Sequence, residues 1–276
     1  MRRFLLCTDM DRTLIPNGAA PESAAARPLF ARLAARPEAT IAYVTGRHRA
    51  LVEQAIREYR LPVPDFVIAD VGSTIFEVED GDWRQWDDWS REIDPDWADM
   101  GADDLYRLLP DMPELTLQEP EKQNRHKLSF YVPLSADAPG LMARIDGILK
   151  DSGIRANLIW SEDEQTGVGL LDILPVGANK RHAIEFMMER NGFDDGNTVF
   201  AGDSGNDLDV LLSPIHAVLV ANASDDVRDA ARGGTAATLY LARGGYLGMN
   251  GNYCAGVLEG LAHFLPDVDA WLRQAV

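Results

Sequence analysis

Four short groups of residues could carry chemistry: Asp9-Met10-Asp11-Arg12-Thr13, Thr45-Gly46-Arg47, Lys180, and Gly202-Asp203-Ser204-Gly205-Asn206-Asp207. Two carboxylates two residues apart at a strand end can point the same way. That arrangement suits phosphoryl transfer. Asp9 would attack phosphorus and form an aspartyl-phosphate. Asp11 would protonate the leaving oxygen, then take a proton from the water that hydrolyses the intermediate. Asp9, Asp11, Asp203 and Asp207 are the candidate residues of a Mg²⁺ site. Asp9 and Asp203 with a main-chain carbonyl would be its direct ligands, because Mg²⁺ prefers oxygen donors and keeps several waters. Asn206 and Asp207 would orient the metal-bound water. Thr45 would donate to a phosphate oxygen, and Lys180 would place a positive charge on the transferring group. Thr45, Gly46, Arg47, Lys180 and Asn206 are candidate substrate contacts.

Each group alone has a plainer explanation. Asp-x-Asp can be a turn, Thr-Gly-Arg a turn into a helix, Lys180 a solvated helix residue, and the glycine run a capped turn. Their occurrence together, in this order and after strand signals, favours the chemical reading.

The elements that must position these groups alternate. Phe4–Thr8, Thr40–Val44 and Phe66–Ala69 read as strands, with helices over Glu22–Ala35 and Arg49–Tyr59 between them. Such alternation implies right-handed crossovers and a parallel sheet, whose ligands gather at the carboxyl ends of strands. The rhythm changes near Phe76. Beyond it come strands over Leu128–Val132, Leu158–Trp160 and Leu170–Leu174 and a helix over Leu141–Lys150, an α+β pattern. Trp83, Trp86, Trp89 and Trp97 read there as packing residues before sugar-stacking ones. The α/β rhythm then returns with helices over Ala183–Arg190, Leu208–Leu212 and Asp225–Ala231 and strands over Thr198–Ala201 and Ala217–Val220. A helix near Ala255–Phe264 closes the chain. The expected division is a core of residues 1–82 and 171–276 with an insertion of 83–170.

Composition narrows the partners. The 276 residues carry a formal net charge of −18, which argues against nucleic acid and anionic membrane surfaces. An anionic substrate then needs local positive charge from a metal or a few basic side chains. Two cysteines, Cys7 and Cys254, give no disulfide framework and point to a reducing cytoplasm. The apolar start reaches Asp9 too soon for a signal peptide, and no run is long enough to span a bilayer.

In these four motifs the chain resembles the haloacid dehalogenase superfamily of phosphohydrolases. The resemblance implies a Rossmann-like doubly wound parallel core with an inserted α+β cap that governs specificity. Within that superfamily the chain resembles the sucrose-phosphate phosphatases. The similarity runs through Tyr43-Val44-Thr45-Gly46-Arg47, Val71-Gly72-Ser73, Asn124-Arg125-His126-Lys127-Leu128-Ser129, Leu171-Asp172-Ile173-Leu174-Pro175 and Asn179-Lys180, and ends at Ala255–Phe264. It implies hydrolysis of a glycoside phosphate: sucrose 6-phosphate first, mannosylfructose phosphate or glucosylglycerol phosphate otherwise. It also implies a glycosyltransferase in the same pathway. Lys127, Gly72, Ser73 and Asn179 would then contact sugar hydroxyls. Lys127 also reads as an edge-strand lysine, Ser73 as a turn cap and Asn179 as a helix cap. Two residues depart from the pattern: Arg12 replaces the usual Gly or Asn, and His126 replaces an aromatic. A phosphomutase shares the acid–base Asp11, and a phospho-accepting receiver module shares the acidic cluster, Thr and Lys. Receivers, however, are shorter and lack a cap.

Overall fold

Uninterrupted apolar runs form the central strands of this protein. The computed structural model describes residues 1–163, 166–232 and 237–276. They form two compact units, Met1–Arg84 with Lys180–Val276, and Gln85–Asn179.

The first unit begins with β1 (Phe4–Thr8), α1 (Ala26–Ala34), β2 (Ala39–Val44), α2 (Arg49–Tyr59), β3 (Phe66–Ala69), β4 (Thr74–Glu79) and β5 (Asp82–Gln85). The second unit holds α3 (Asp87–Ile93), α4 (Ala102–Leu108), β6 (Thr116–Leu117), β7 (Leu128–Pro133), α5 (Ala138–Asp151), β8 (Ala156–Asp163) and β9 (Val168–Pro175). The first unit resumes with α6 (Lys180–Asn191), β10 (Thr198–Gly202), α7 (Leu208–Leu211), β11 (His216–Leu219), α8 (Asp225–Ala231), β12 (Leu239–Leu241), α9 (Cys254–Phe264) and α10 (Pro266–Ala275).

The first unit's sheet has the order β12-β11-β10-β1-β2-β3-β4-β5. The pairs from β12 to β3 are parallel, and β4 runs antiparallel to β3. All five residues of β1 are buried, as a strand covered on both faces requires. Phe4 and Leu6 pack on one side with Phe30 and Leu33 of α1, Val52 of α2, Leu258 of α9 and Leu272 of α10. Strand order reverses between β1 and β10, so the carboxyl ends of these two strands flank the switch point where α/β sheets bind ligands.

Three expectations need correction. The chain does not leave the core sheet near Phe76: β4 and β5 extend it, joined by Asp80-Gly81, both left-handed at φ 52° and 86°. That pair makes the primed turn that suits a two-residue hairpin. The return to the first unit lies at Lys180 rather than 171, because β9 pairs with β7 and β8 along its whole length. The closing helix is α10, not α9, and Pro266 at its first turn marks the break between them. Among the described residues no helix is long and apolar enough to cross a membrane.

The second unit is an antiparallel sheet of order β6-β7-β9-β8. Alternate residues Leu128, Phe130 and Val132 of β7 and Leu171 and Ile173 of β9 face Leu141, Ile145 and Leu149 of α5. Trp89 and Trp97 are fully buried, so these two tryptophans are core residues. Asp94 ties down the turn before β7: its Oδ1 lies 2.7 Å from His126 Nε2 and accepts from Arg125 Nε at 2.9 Å. The Trp97 ring leans on the imidazole, with centroids 6.1 Å apart.

The cluster around the buried His126 predicts acid sensitivity in the second unit. Burial lowers the His126 value below 6.5; the Asp94 bond opposes that shift and the Arg125 charge adds to it. Burial would raise Asp94, yet His126 and Arg125 outweigh it and hold its carboxyl below 3.8. Both folded values are depressed, so both contributions to stability are complete above the unfolded values and are lost on acidification. The histidine contribution fades as pH drops from 6.5 through its lower folded value; that of Asp94 fades below 3.8. Asp9 and Asp203, both raised, titrate with the opposite sign, so the histidine effect is read by difference: between pH 7.5 and 5.5 the urea midpoint of wild type, followed by tryptophan fluorescence, should fall relative to that of His126→Phe. Parallel profiles of the two proteins would discard the histidine explanation.

Candidate active site

Asp9 follows β1, and its N–H extends the ladder to Ala201 O of β10 at 2.8 Å. Asp203 follows β10. The two strands, paired Thr8 to Ala201, bring these carboxylates together across 194 residues of chain. Asp9, Asp203 and Asp207 each offer an oxygen within 4.8 Å of the others, and all three are buried.

Lys180, the first residue of α6, is buried at their centre. Its Nζ donates to Asp9 Oδ1 at 3.2 Å, Asn206 Oδ1 at 3.1 Å and Asp207 Oδ1 at 2.7 Å. Asp207 in turn shapes the loop that carries it. Its Oδ2 accepts from the N–H groups of Asp203 and Ser204 at 3.0 and 3.1 Å. Gly202 is required for that closure, since a Cβ there would lie 2.6 Å from the Asp207 carboxyl. Thr13 Oγ1 fixes the other side of the cluster, donating to Asp203 Oδ1 at 3.0 Å. Asp203 Oδ2 accepts no hydrogen bond among the described residues. The Arg12 guanidinium stands 3.4 Å from it, close enough for an ion pair but without hydrogen-bond geometry.

Three carboxylates against one ammonium leave this place short of positive charge. Burial pushes the Asp9 carboxyl up to about 8; Lys180 opposes, and Asp207 and Asp203 add to the rise. Burial and Asp207 push Asp203 up to about 6, against Thr13 and Arg12. Burial disfavours the Lys180 charge, but Asp207 and Asp9 outweigh it and raise the lysine above its ordinary value. The rise at Lys180 calls for anionic partners, whereas the rise at Asp9 opposes ionisation. The close contacts favour an ion pair that lacks enough positive charge. An orphaned buried carboxylate oxygen among three acids is what a divalent cation would satisfy, and an all-oxygen donor set suits a hard ion. The residues fit such an ion.

Asp11 stands outside that cluster. Arg47, in the loop after β2, grips it with two parallel bonds, Nε to Oδ2 at 2.7 Å and Nη2 to Oδ1 at 2.6 Å. Asn17 Nδ2 adds a third at 2.6 Å. Burial would raise the Asp11 carboxyl, but these bonds and the Arg47 charge hold it below the usual carboxylate range. Of the expected metal carboxylates, Asp9, Asp203 and Asp207 are brought together, while Asp11 is bound to arginine. Arg47, a candidate substrate contact, holds Asp11 in this structure.

Thr45 lies one step beyond β2. The register that sets Thr8 beside Tyr43 puts it on the same carboxyl rim as Asp9. Its hydroxyl accepts from Arg47 N–H at 3.2 Å. Gly46 lies beside Val71, whose Cγ2 would be 3.7 Å from an added Cβ. Asp70, Val71 and Gly72 are successive left-handed residues at φ 53°, 62° and 100°. A β-branched residue in that region is a strained one. Bonds from Asp70 N–H to Arg47 O and from Val71 N–H to Thr45 O hold the turn to the Thr45 loop. Ser73 Oγ donates to Asp70 O at 3.1 Å, so it does cap this turn. Asn206 accepts from Lys180 and from Ser204 Oγ, the latter at 2.9 Å.

Lys127 and Asn179 belong to the second unit. Lys127 is buried, and its Nζ lies 3.3 Å from Asp172, which also accepts from Ser129 Oγ at 2.5 Å. It is no exposed edge lysine. Asn179 Nδ2 donates to Val176 O at 3.2 Å. Sequence reasoning missed Asn17, whose amide reaches Asp11, and Asn222, whose Nδ2 donates to Arg12 O at 2.6 Å. Pro16-Asn17-Gly18 reads as a turn, and nothing in a turn signal announces that its amide will hold Asp11.

Comparisons with known proteins bear on the family and the fold. A model of the sucrose-6F-phosphate phosphohydrolase family matches residues 2–265. A protein of Nitrosococcus oceani whose name extends only to a HAD-like hydrolase is 54% identical, across 99% of this chain and 74% of its own length. Sucrose-phosphatase 1 of Nicotiana tabacum is 30% identical over 82% of this chain, which spans about half (52%) of that enzyme. The structure of the sucrose-phosphatase of Synechocystis, solved with sucrose and phosphate, shares the fold with a TM-score of 0.72 at 24% identity. It covers 96% of this chain and 98% of its own. A parallel core closed by an antiparallel edge, a separate antiparallel sheet and a family match over nearly the whole chain lead to one conclusion: this chain belongs to the sucrose-6F-phosphate phosphohydrolase family of HAD-like hydrolases.

Proposed function

We propose that this phosphatase hydrolyses the phosphate ester of a disaccharide, sucrose 6-phosphate before others, through a covalent aspartyl-phosphate on Asp9. The family match over residues 2–265 supports the substrate class. The observation that carries the mechanism is the buried Lys180 tied to Asp9 and Asp207 beside the orphaned oxygen of Asp203. A divalent cation, Mg²⁺ for this donor set, would be held by Asp9 and Asp203 with Asp207 beside them, and would neutralise the repulsion between anionic nucleophile and anionic ester.

Asp9 attacks phosphorus as the bond to the sugar oxygen breaks. Lys180 places its fixed charge against the transferring group, where charge stabilisation is most of the catalysis. Asp11 gives its proton to the leaving sugar oxygen. It later removes one from the water that attacks the aspartyl-phosphate, which releases phosphate and restores Asp9. Arg47 holds Asp11 in its anionic form, which suits the second half of the cycle. Its grip must loosen for the first half, when Asp11 has to carry a proton. Thr45 would donate to a phosphate oxygen. The second unit acts as a cap, with Lys127 donating to sugar hydroxyls, and with Gly72, Ser73 and Asn179 as further contacts.

A panel of esters with Mg²⁺ tests this reading: sucrose 6-phosphate, mannosylfructose phosphate, glucosylglycerol phosphate and hexose phosphates. The expected result is the highest kcat/KM for sucrose 6-phosphate, by roughly tenfold or more over a hexose phosphate, since a hydroxyl-matched pocket rejects ligands that leave its polar groups unpaired. Preference for another glycoside would keep the mechanism and change the substrate. An isomeric sugar phosphate as product would identify a mutase.

A further inference from the structure

Arg12 occupies an unusual place. Its backbone is left-handed, at φ 57°, a conformation that disfavours any side chain larger than that of Gly, Asn or Asp. Two amides hold it there. Its N–H donates to Asn17 Oδ1 at 2.8 Å, and its C=O accepts from Asn222 Nδ2 at 2.6 Å. Asn222 is itself fixed by Tyr253 N–H, which donates to its Oδ1 at 2.7 Å. The backbone is therefore aimed, and what it aims is a guanidinium.

That guanidinium meets one group of the acidic cluster. Arg12 Nε lies 3.4 Å from Asp203 Oδ2, the carboxylate oxygen that no described residue bonds. Thr13 fixes Asp203 by its other oxygen, so the carboxylate keeps its orientation whether or not Arg12 is near. The contact is held by charge without a directed hydrogen bond. The Arg12 side chain is 50% exposed against 2% for Asp203, so it can leave toward solvent while the carboxylate cannot follow.

We propose that Arg12 is a built-in competitor for the divalent cation: its guanidinium pairs with Asp203 Oδ2 when the cation is absent and must be displaced for the cation to bind. The inference rests on the Mg²⁺ reading above and adds a positioning residue to it. It makes cation affinity in this chain weaker than the three carboxylates alone would give. Asn17 and Asn222 act through Arg12 by fixing the backbone from which its side chain reaches.

Titration calorimetry of Mg²⁺ into the metal-free chain tests it by binding, apart from turnover. Arg12→Asn and Arg12→Gly both tolerate the left-handed backbone, so folding should survive, and melting temperatures in metal-free buffer check it. Removing a half-exposed charge at this distance should tighten the Kd for Mg²⁺ on the order of tenfold, and more at low salt. Arg12→Lys should lie between wild type and Asn. Asp203→Asn should lose binding in either background. An unchanged or weaker Kd in both Arg12→Asn and Arg12→Gly overturns the proposal and leaves the metal reading standing. No Mg²⁺ binding in wild type or in any variant removes both.

Discussion

Asp9→Asn is expected to lower kcat at least about 10⁴-fold while leaving the protein folded. Asparagine has the shape of aspartate, and its Oδ1 can still accept from Lys180, which now lies 3.2 Å from the Asp9 carboxylate. It has no anionic oxygen with which to attack phosphorus. The substitution also removes one of three mutually repelling buried carboxylates, so metal-free stability should hold or rise. Phosphate release and urea midpoints on the same preparations separate the two effects. Trapping a labelled phosphoenzyme from wild type, absent in the variant, would place the covalent bond. Turnover within tenfold of wild type would end the case for Asp9 as nucleophile.

Lys180→Met should damage both stability and catalysis. The lysine is 4% exposed and serves Asp9, Asn206 and Asp207 at once. Methionine fills a similar volume but leaves Asp9, Asp203 and Asp207 facing one another with no internal cation. Breaking a buried pair in this way costs about 3–5 kcal/mol. Loss of a fixed charge at the transferring group should lower kcat about 10²–10³-fold, as removal of one stabilising donor does elsewhere. Mg²⁺ should recover part of the stability by linkage and little of the turnover. Urea unfolding with and without Mg²⁺, alongside kcat, reads both. A variant as stable and active as wild type would mean the lysine is not the counter-charge of this site.

Much of the site was legible because its residues sit at strand ends. Asp9, Thr45 and Asp203 each follow a buried apolar run, and a parallel sheet aligns such ends on one rim. Lys180 looked like an ordinary helix lysine, and only its place in the motif order singled it out. What could not be read was pairing between side chains distant in sequence. Arg47 and Asp11 are 36 residues apart, and nothing local says that a bidentate bond joins them in place of a phosphate or metal contact. Arg12 drew notice as a departure, but its ion pair with Asp203, 191 positions on, belongs to tertiary structure.

The fold shows the same division. The wholly buried strand Phe4–Thr8 and the amphipathic helix Arg49–Tyr59 have the bounds that their patterns give. The β4–β5 hairpin lies where tryptophans and acids mask the strand alternation, although Asp80-Gly81 is a strong hairpin signal. β12 is three half-buried residues and has no periodicity to detect. The residues of β9 do not reveal where the chain returns to the core, because a strand's sheet membership is decided by its partners, which its own residues do not name.

The place of β1 at the middle of the sheet also has a consequence in time. Leu5 pairs with Thr40 on one side and with Thr198 on the other. A ribosome that has made β1 and β2 must add more than 150 further residues before β10 exists. At roughly 5–20 residues per second that wait lasts about 8–30 s. Throughout it, one edge of a strand destined for full burial stays open and Asp9 has neither Lys180 nor Asp203 beside it. The nascent chain therefore carries its half-built site as an adhesive edge, and chaperone occupancy of residues 4–8 during synthesis should end only when β10 leaves the exit tunnel.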